Sequence, residues 1–196
     1  MTKRAGTVAI VLAAGSSRRL GRPKQLVVHR GRTLVRSALD EALASACERV
    51  AVVLGARARA IGAAVEGLDV EVLVNRAWRE GVASSIRRGV SWALQRECSA
   101  ALFVLCDQPA LRAAHLDNLV EAHEDGAPIV ASRYGDALGV PALFDRSVLP
   151  ALAELRGDEG AKRVIHERGA VGVDWPDGAD DVDTREDMAR IVAHTA

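Results

Sequence analysis

Short apolar runs rich in β-branched residues alternate along this chain with segments whose apolar residues recur at helical spacing. Few folds accommodate that pattern. The runs begin with Thr7-Val8-Ala9-Ile10-Val11-Leu12-Ala13 and continue through Arg49–Leu54, Val70–Val74, Ala100–Cys106 and Pro128–Ser132. Unbroken apolar stretches of this length read as strands buried on both faces. Between them, Leu34, Val35, Ala38, Leu39, Ala42 and Leu43 share one face of a helix predicted over Thr33–Ala46. Val82, Ile86, Val90, Ala93 and Leu94 form a stripe after Gly81, and Ala56–Val65 and Leu111–Glu124 also read as helices. The alternation predicts an α/β fold, a three-layer α/β/α sandwich around a mainly parallel, twisted sheet.

The second half is less regular. Leu26-Val27-Val28 is a short extended piece before a turn at Gly31, and Ser132–Leu138 reads as a polar loop leading into Gly139-Val140-Pro141-Ala142-Leu143-Phe144. Helices are predicted over Arg146–Leu155 and Glu159–Arg168, joined by Gly157-Asp158-Glu159-Gly160, with a late strand over Val171–Trp175. Thr184 is placed to cap a final helix whose third position is Asp187. No linker divides the chain, so residues 1–196 read as one domain, long enough for a substantial core. Its 26 basic and 26 acidic residues cancel, which argues against a broad nucleic-acid or membrane surface. Cys47, Cys98 and Cys106 form no C-x-x-C pair and no zinc spacing. Scattered thiols suit a reducing cytoplasm, and neither an export signal nor a long apolar span is seen.

The first strand ends where side chains become very small, at Ala13-Ala14-Gly15, so that a ligand could lie against the backbone. Ser16, Ser17, Arg18, Arg19, Arg22 and Lys24 follow. Exposed N–H groups beside fixed positive charge suit a polyphosphate, although a basic loop can also be merely solvated. The loop is neither a P-loop nor a G-x-G-x-x-G turn.

Asp107 lies where the most apolar strand opens into a loop, and ligands of open α/β sheets bind beside that edge. A carboxylate there either holds Mg²⁺, which shares its shell with phosphates, or caps the next helix. Asp180, Asp181 and Asp183 form a second acidic cluster, either a solvated turn or the source of a second metal ligand. Asn75, Gly81, Ser84 and Ser85 make a polar collar that could meet a base or ribose, or simply cap a helix. His29, His115, His123, His166 and His194 read as surface or loop residues, and Trp78, Trp92 and Trp175 as packing residues.

Leu12-Ala13-Ala14-Gly15 with Ser17, Arg19, Gly21, Pro23 and Lys24 resembles the L-A-A-G-x-S-x-R-M-G-x-P-K signature of the MobA-like nucleotidyltransferases. Within that family it is most similar to the molybdenum cofactor cytidylyltransferase branch. The likeness extends through Asn75, Gly81, Ser85 and Gly89, then Cys106-Asp107-Gln108-Pro109 and Gly139-Val140-Pro141. It closes with Gly157-Asp158-Glu159-Gly160-Ala161 and Asp181-Val182-Asp183-Thr184.

The resemblance implies a Rossmann-like, nucleotide-diphospho-sugar transferase-like fold. Its nucleotide-binding part would span about 1–110 and its acceptor-binding part about 111–196. It implies that Leu12, Ala13, Ala14, Gly15, Ser17, Arg19 and Lys24 cradle a nucleoside triphosphate, with Arg19 and Lys24 on its phosphates. Asn75, Gly81 and Ser85 would approach base and ribose, and Asp107 and Asp183 would hold Mg²⁺. The catalytic set would be Arg19, Lys24 and Asp107. The implied reaction transfers CMP from CTP to the phosphate of molybdopterin with release of pyrophosphate, and the loops around Gly139 and Gly157 receive that acceptor. A molybdoenzyme of the xanthine dehydrogenase type is the implied protein partner.

Transfer at phosphorus needs alignment and charge stabilisation, and an ionised phosphate nucleophile needs no general base. Leu20 stands where the signature has Met, and Ala14, in place of a second Gly, is closer to the cytidylyl than the guanylyl branch. Two other readings are a nicotinamide-dependent oxidoreductase on the same fold and a non-catalytic cofactor chaperone. The missing G-x-G-x-x-G counts against the first, and the presence of both Lys24 and Asp107 against the second.

Overall fold

Strand β1 (Thr7–Ala13) is buried along its whole length, and its side chains sort by parity. Val8, Ile10 and Leu12 enter one apolar cluster, while Ala9, Val11 and Ala13 enter another on the opposite face. That period of two is the geometry of a strand covered on both sides. In the computed structural model, which describes residues 6–179 together with Val182, Thr184, Glu186 and Asp187, β1 is third in the spatial order of a seven-stranded sheet.

Parallel pairing joins β1 to β4 (Arg49–Leu54) on one side and to β6 (Ala100–Leu105) on the other. β5 (Glu71–Val74) extends the sheet beyond β4, again in parallel. On the other flank β8 (Ala137–Asp145) runs antiparallel to both β6 and β7 (Ile129–Tyr134), and β9 (Val171–Asp174) closes the sheet parallel to β7. The order is β5-β4-β1-β6-β8-β7-β9. A separate hairpin pairs β2 (Val28–His29) with β3 (Arg32–Thr33).

Helices α1 (Leu34–Ala44), α2 (Ala58–Ala64) and α4 (Ala113–Glu124) supply Val35, Leu39, Ile61, Leu116 and Leu119 to one face of the sheet. Helices α3 (Val82–Leu94), α5 (Leu149–Ala153) and α6 (Lys162–Arg168) cover the other with Ile86, Val90, Leu149, Leu152 and Ile165. The predicted three-layer, mainly parallel α/β architecture is present. Gly89 lets α3 lie close on β1, since a Cβ there would come within 2.8 Å of Ile10 Cγ2.

Two expectations need correction. Residues 132–138, read as a loop, continue β7 to Tyr134 and begin β8 at Ala137. The polar composition belongs to a hairpin tip that turns at Gly135, whose φ is +60°. His115, read as a surface or loop residue, is buried on α4, stacked against Trp175 with ring centroids 4.7 Å apart. The expected cap at Thr184 is present and reciprocal. The Thr184 N–H donates to Asp187 Oδ2 at 2.9 Å, and the Asp187 N–H donates to Thr184 Oγ1 at 3.2 Å.

Candidate active site

β1, β4, β5 and β6 all end at one edge of the sheet, and a cleft of about 490 Å³ opens there. An open α/β sheet presents its ligands at this edge, and the volume is that of a small-molecule site. Leu12, Ala13, Ala14, Gly15, Ser17, Arg19, Lys24, Gly81, Ser85 and Asp107, ten residues singled out in the sequence, all line it.

The loop after β1 is held by its own side chains. Gln25, only 1% exposed, donates from Nε2 to the carbonyl oxygens of Ala13 at 3.1 Å and Gly15 at 2.8 Å. Ser17, with φ at +52°, accepts from the backbone N–H of Lys24 at 3.0 Å. A buried amide that satisfies two strand-end carbonyls fixes the loop from inside. Leu20 pins its far side, packing with Val27, Leu34 and Val182 in a small apolar cluster. Gln25 escaped the sequence reading, because a Gln beside a Lys in a basic loop looks like a solvated residue.

Asp107 leaves the end of β6 with its side chain 8% exposed, and Lys24, 19% exposed, forms an ion pair with its Oδ2. The backbone N–H of Val182 donates to the Asp107 carbonyl at 3.0 Å, so the C-terminal segment returns to this point. Asp183, expected as a second metal ligand, lies outside the described residues, as do Asp180 and Asp181. Among the described residues no group of three or more His, Cys, Asp or Glu side chains converges on a metal position. One carboxylate beside phosphate oxygens is a set that Mg²⁺ accepts, and the Lys24 ammonium already occupies a cation position at Asp107. Burial, reinforced by the neighbouring Asp107 charge, pushes the Cys106 thiol far up, so it stays protonated and unreactive.

Gly81 and Ser85 reach the cleft from the start of α3, whereas Asn75 stands behind it. The Asn75 amide donates to Ser84 Oγ at 2.9 Å and to Ser85 Oγ at 3.0 Å, and its Oδ1 accepts from the Ala77 N–H at 2.9 Å. Asn75 thus orients the collar and is not a wall residue. Ser84 donates onward to the Gly81 carbonyl at 2.8 Å. Gly81 has φ +108°, and a Cβ on it would lie 2.1 Å from the carbonyl oxygen of Gly157. The Gly157 carbonyl accepts from the Ala83 N–H at 3.1 Å, which seats the Gly157 turn on the helix and brings Asp158 into the cleft.

Arg18, Trp78, Arg79, Val82, Leu105 and Asp158, with Ser16, Gln25 and Cys106, also line the cleft and lie outside the site assignment from sequence. Arg79 stacks over Trp78 at 4.4 Å from the ring centroid. Arg18, Arg19, Lys24 and Arg79 face Asp107 and Asp158, an excess of two positive charges among the described lining residues. That surplus suits an anion of several charges. A smaller apolar pocket of about 170 Å³ adjoins the cleft and shares Leu12, Val82 and Leu105 with it. Tyr134, Gly139, Val140, Gly160 and Lys162 line its outer side.

Residues 9–171 match the MobA-like NTP transferase domain. The chain belongs to that family. Among related sequences, the nicotine blue oxidoreductase of Paenarthrobacter nicotinovorans is 34% identical over 93% of this chain and 95% of its own length. The molybdenum cofactor guanylyltransferase of Rhodobacter capsulatus is 31% identical, covering 92% of each chain. Rv0371c of Mycobacterium tuberculosis, in complex with manganese, superposes with a TM-score of 0.77 at 29% identity over 97% of this chain and all of its own. The MobA-like assignment makes this chain a nucleotidyltransferase by family and by fold. Among the described residues no helix is long and apolar enough to cross a membrane.

Proposed function

We propose that this protein transfers CMP from CTP to the phosphate of a molybdopterin-type acceptor and releases pyrophosphate. The observation that carries the reading is the meeting of the cationic loop after β1 with Asp107 in one cleft. Arg19 and Lys24 hold the triphosphate, and backbone N–H groups of the loop lie against its oxygens. Asp107 holds Mg²⁺, with Asp183 as its second carboxylate, one peptide bond from the residue hydrogen-bonded to Asp107. When bound, the ion supplies charge neutralisation on the phosphate oxygens. The manganese complex of Rv0371c supports a divalent cation in this fold.

The Ser85 Oγ accepts from Asn75, and its own O–H proton has no protein acceptor among the described residues. That proton is directed to ribose or base. Ala14 lines the cleft, and Ala in place of a second Gly there resembles the cytidylyl branch, which favours CTP over GTP. The acceptor enters beside Gly139 and Gly157, with the ring next to its phosphate in the 170 Å³ pocket. A phosphate oxygen of the acceptor attacks the α-phosphorus in line, a new P–O bond forms, and the bond to pyrophosphate breaks.

The test is pyrophosphate release with Mg²⁺, molybdopterin and each of CTP, GTP and ATP. Release with CTP above the others is expected, and no release with any nucleotide overturns the reading. The relative named nicotine blue oxidoreductase favours a second reading, reduction by a nicotinamide cofactor. NADPH consumption with an aromatic acceptor and no nucleotide turnover would establish it.

A further inference from the structure

β6 and β8 pair only as far as Phe103 opposite Ala142, and beyond that point the two strands part. The 170 Å³ pocket opens in this fork, with Phe103, Val104 and Leu105 on one side and Gly139 and Val140 on the other. β8 also carries two extra residues here. Ala142 stands opposite Ala131 and Gly139 opposite Ser132, so Val140 and Pro141 bulge from the ladder with β7. Bulges beside a site re-aim the chain, and side chains bond to both carbonyls of this one. Ser132 Oγ donates to the Pro141 carbonyl at 2.7 Å, and the Val140 carbonyl accepts from Gln108 Nε2 at 3.1 Å and from Tyr134 Oη at 3.3 Å. Gln108, the residue after Asp107, therefore reaches across the fork to a wall of the pocket. A Cβ on Gly139 would lie 1.9 Å from Tyr134 Oη, so the tyrosine closes the same wall by leaning over a glycine.

The Gln108 amide is kept at a cost. The residue is 5% exposed, and with Nε2 committed to a carbonyl its Oε1 is buried with no partner among the described residues. Turning the amide over would set two acceptors against each other, so the orphan is not relieved that way. A methionine would fill similar space without an unpaired acceptor. What the amide supplies, and methionine does not, is a donor to Val140. Gln108 is not itself a lining residue of the pocket, so it acts through one that is. We propose that Gln108 is a positioning residue that sets the spacing of the fork between β6 and β8, and so fits the pocket to an uncharged ring carried by a phosphorylated acceptor. The lining supports that ligand class. Leu12, Val82, Ile86, Phe103, Leu105 and Val140 are apolar, and Lys162 is the one charged group among the described lining residues. An apolar cavity of about 150 Å³ holds a benzene-sized molecule. The pocket shares Leu12, Val82 and Leu105 with the cleft, so one molecule spans both with its ring and its phosphate. This proposal rests on the reading of the cleft as a phosphate site, but not on the nucleotide or on molybdopterin.

The experiment compares two probes on the full chain by calorimetry, with Mg²⁺ and no nucleotide. Benzyl phosphate offers a ring to the pocket and a phosphate to the cleft, and inorganic phosphate offers only the second. The unmodified protein is expected to bind benzyl phosphate about tenfold more tightly or better, the return on burying one ring. Gln108→Met is expected to cut that preference about tenfold, the usual worth of a small misfit in a pocket, and to leave inorganic phosphate unchanged. Its melting temperature should stay close to that of the unmodified protein, because the Val140 carbonyl keeps its Tyr134 donor and the unpaired Oε1 is gone. Gln108→Asn keeps the amide but is one methylene shorter, so it should lose the same preference, and it carries the test if the methionine variant does not fold. An intact preference in the folded variants would overturn the proposal. So would a parallel loss for both probes with a lowered melting temperature, which would mark Gln108 as structural only. Benzyl phosphate binding no tighter than inorganic phosphate in the unmodified protein would overturn the ring assignment. Since neither probe is a nucleotide or a pterin, a failed pyrophosphate assay leaves this outcome standing, and failure here leaves that assay unaffected.

Discussion

Val182 donates its backbone N–H to the carbonyl oxygen of Asp107 at 3.0 Å, while its side chain packs on Leu20, Val27 and Leu34. One residue therefore ties the C-terminal segment both to the end of β6 and to the loop after β1. Truncating Leu20 should loosen that junction. Leu20→Ala removes buried methyl groups from a small cluster and should cost about 2–4 kcal/mol in urea unfolding, with faster proteolysis between residues 15 and 24. Leu20→Met conserves volume and should cost less than about 1.5 kcal/mol. Equal losses in the two variants would show that packing is not what Leu20 supplies.

Asp107→Ala should reduce pyrophosphate release by about a thousandfold, the scale seen when a key electrostatic group is lost from a site. Far-ultraviolet circular dichroism should be unchanged, because the apolar part of β6 lies before this residue. Retained turnover would remove Asp107 from the metal site.

The carbonyl of Gly157 stands where a side chain on Gly81 would have to go, only 2.1 Å from an ideal Cβ. Backbone cannot withdraw as a flexible side chain can, and the φ of +108° adds its own strain. Gly81→Ala should therefore destabilise by about 3 kcal/mol or more in chemical denaturation, as large effects from a single methyl do when backbone blocks it. Gly15→Ala meets no atom within 4 Å and should leave stability nearly unchanged.

His115 Nε2 lies 2.7 Å from Ser132 Oγ, and that hydroxyl donates to the Pro141 carbonyl at 2.7 Å. With its own proton placed there, Ser132 accepts from the His115 Nε2–H, and burial of the ring favours its neutral form. Burial lowers the His115 pKa from 6.5 to about 4. The folded state thus binds fewer protons than the unfolded state between these values. Stability is fully present above about pH 6.5 and falls as pH drops towards 4, by about 1–2 kcal/mol with part of the charge screened by solvent. His115→Gln should flatten that slope in denaturation curves taken across the window, and an unchanged slope would assign it to other groups.

Ala14 lines the cleft and packs against Gly55, whose ideal Cβ would lie 2.8 Å from the Ala14 methyl. Ala14→Gly removes that methyl from a lining position and should raise kcat/KM for GTP relative to CTP about tenfold, the usual worth of one small group in a pocket. A ratio that does not move would place the base away from Ala14.

Much of this arrangement is legible in the sequence because it rests on periodicity and on chain ends. The runs at β1, β4 and β6 are buried on both faces as their composition demands, and Asp107 stands out as a charge at the end of the most apolar run. Thr184 and Asp187 announce their cap by spacing alone. What is hidden depends on contacts between distant parts of the chain. Gln25 looks like a loop residue until the strand-end carbonyls are seen to need donors. Asn75 looks like a ligand contact until both of its amide protons are found on Ser84 and Ser85. His115 looks exposed because its helix is only weakly amphipathic, and its burial depends on Trp175, which arrives with the last strand. The extension of β7 and β8 past Ser132 is obscured by the polar side chains of the hairpin tip.

The reversed direction of β8 has a consequence for how such a protein can diversify. A parallel strand reaches the ligand edge with its last residues and must then cross the sheet, so altering its end disturbs a helix. β8 reaches the same edge with its first residues, straight from a tight turn at Gly135. That turn can lengthen, shorten or change chemistry while β1, β4 and β6 keep their register. The wall that carries Gly139 and Val140 is thus free to be rewritten for new compounds without rebuilding the half that carries Lys24.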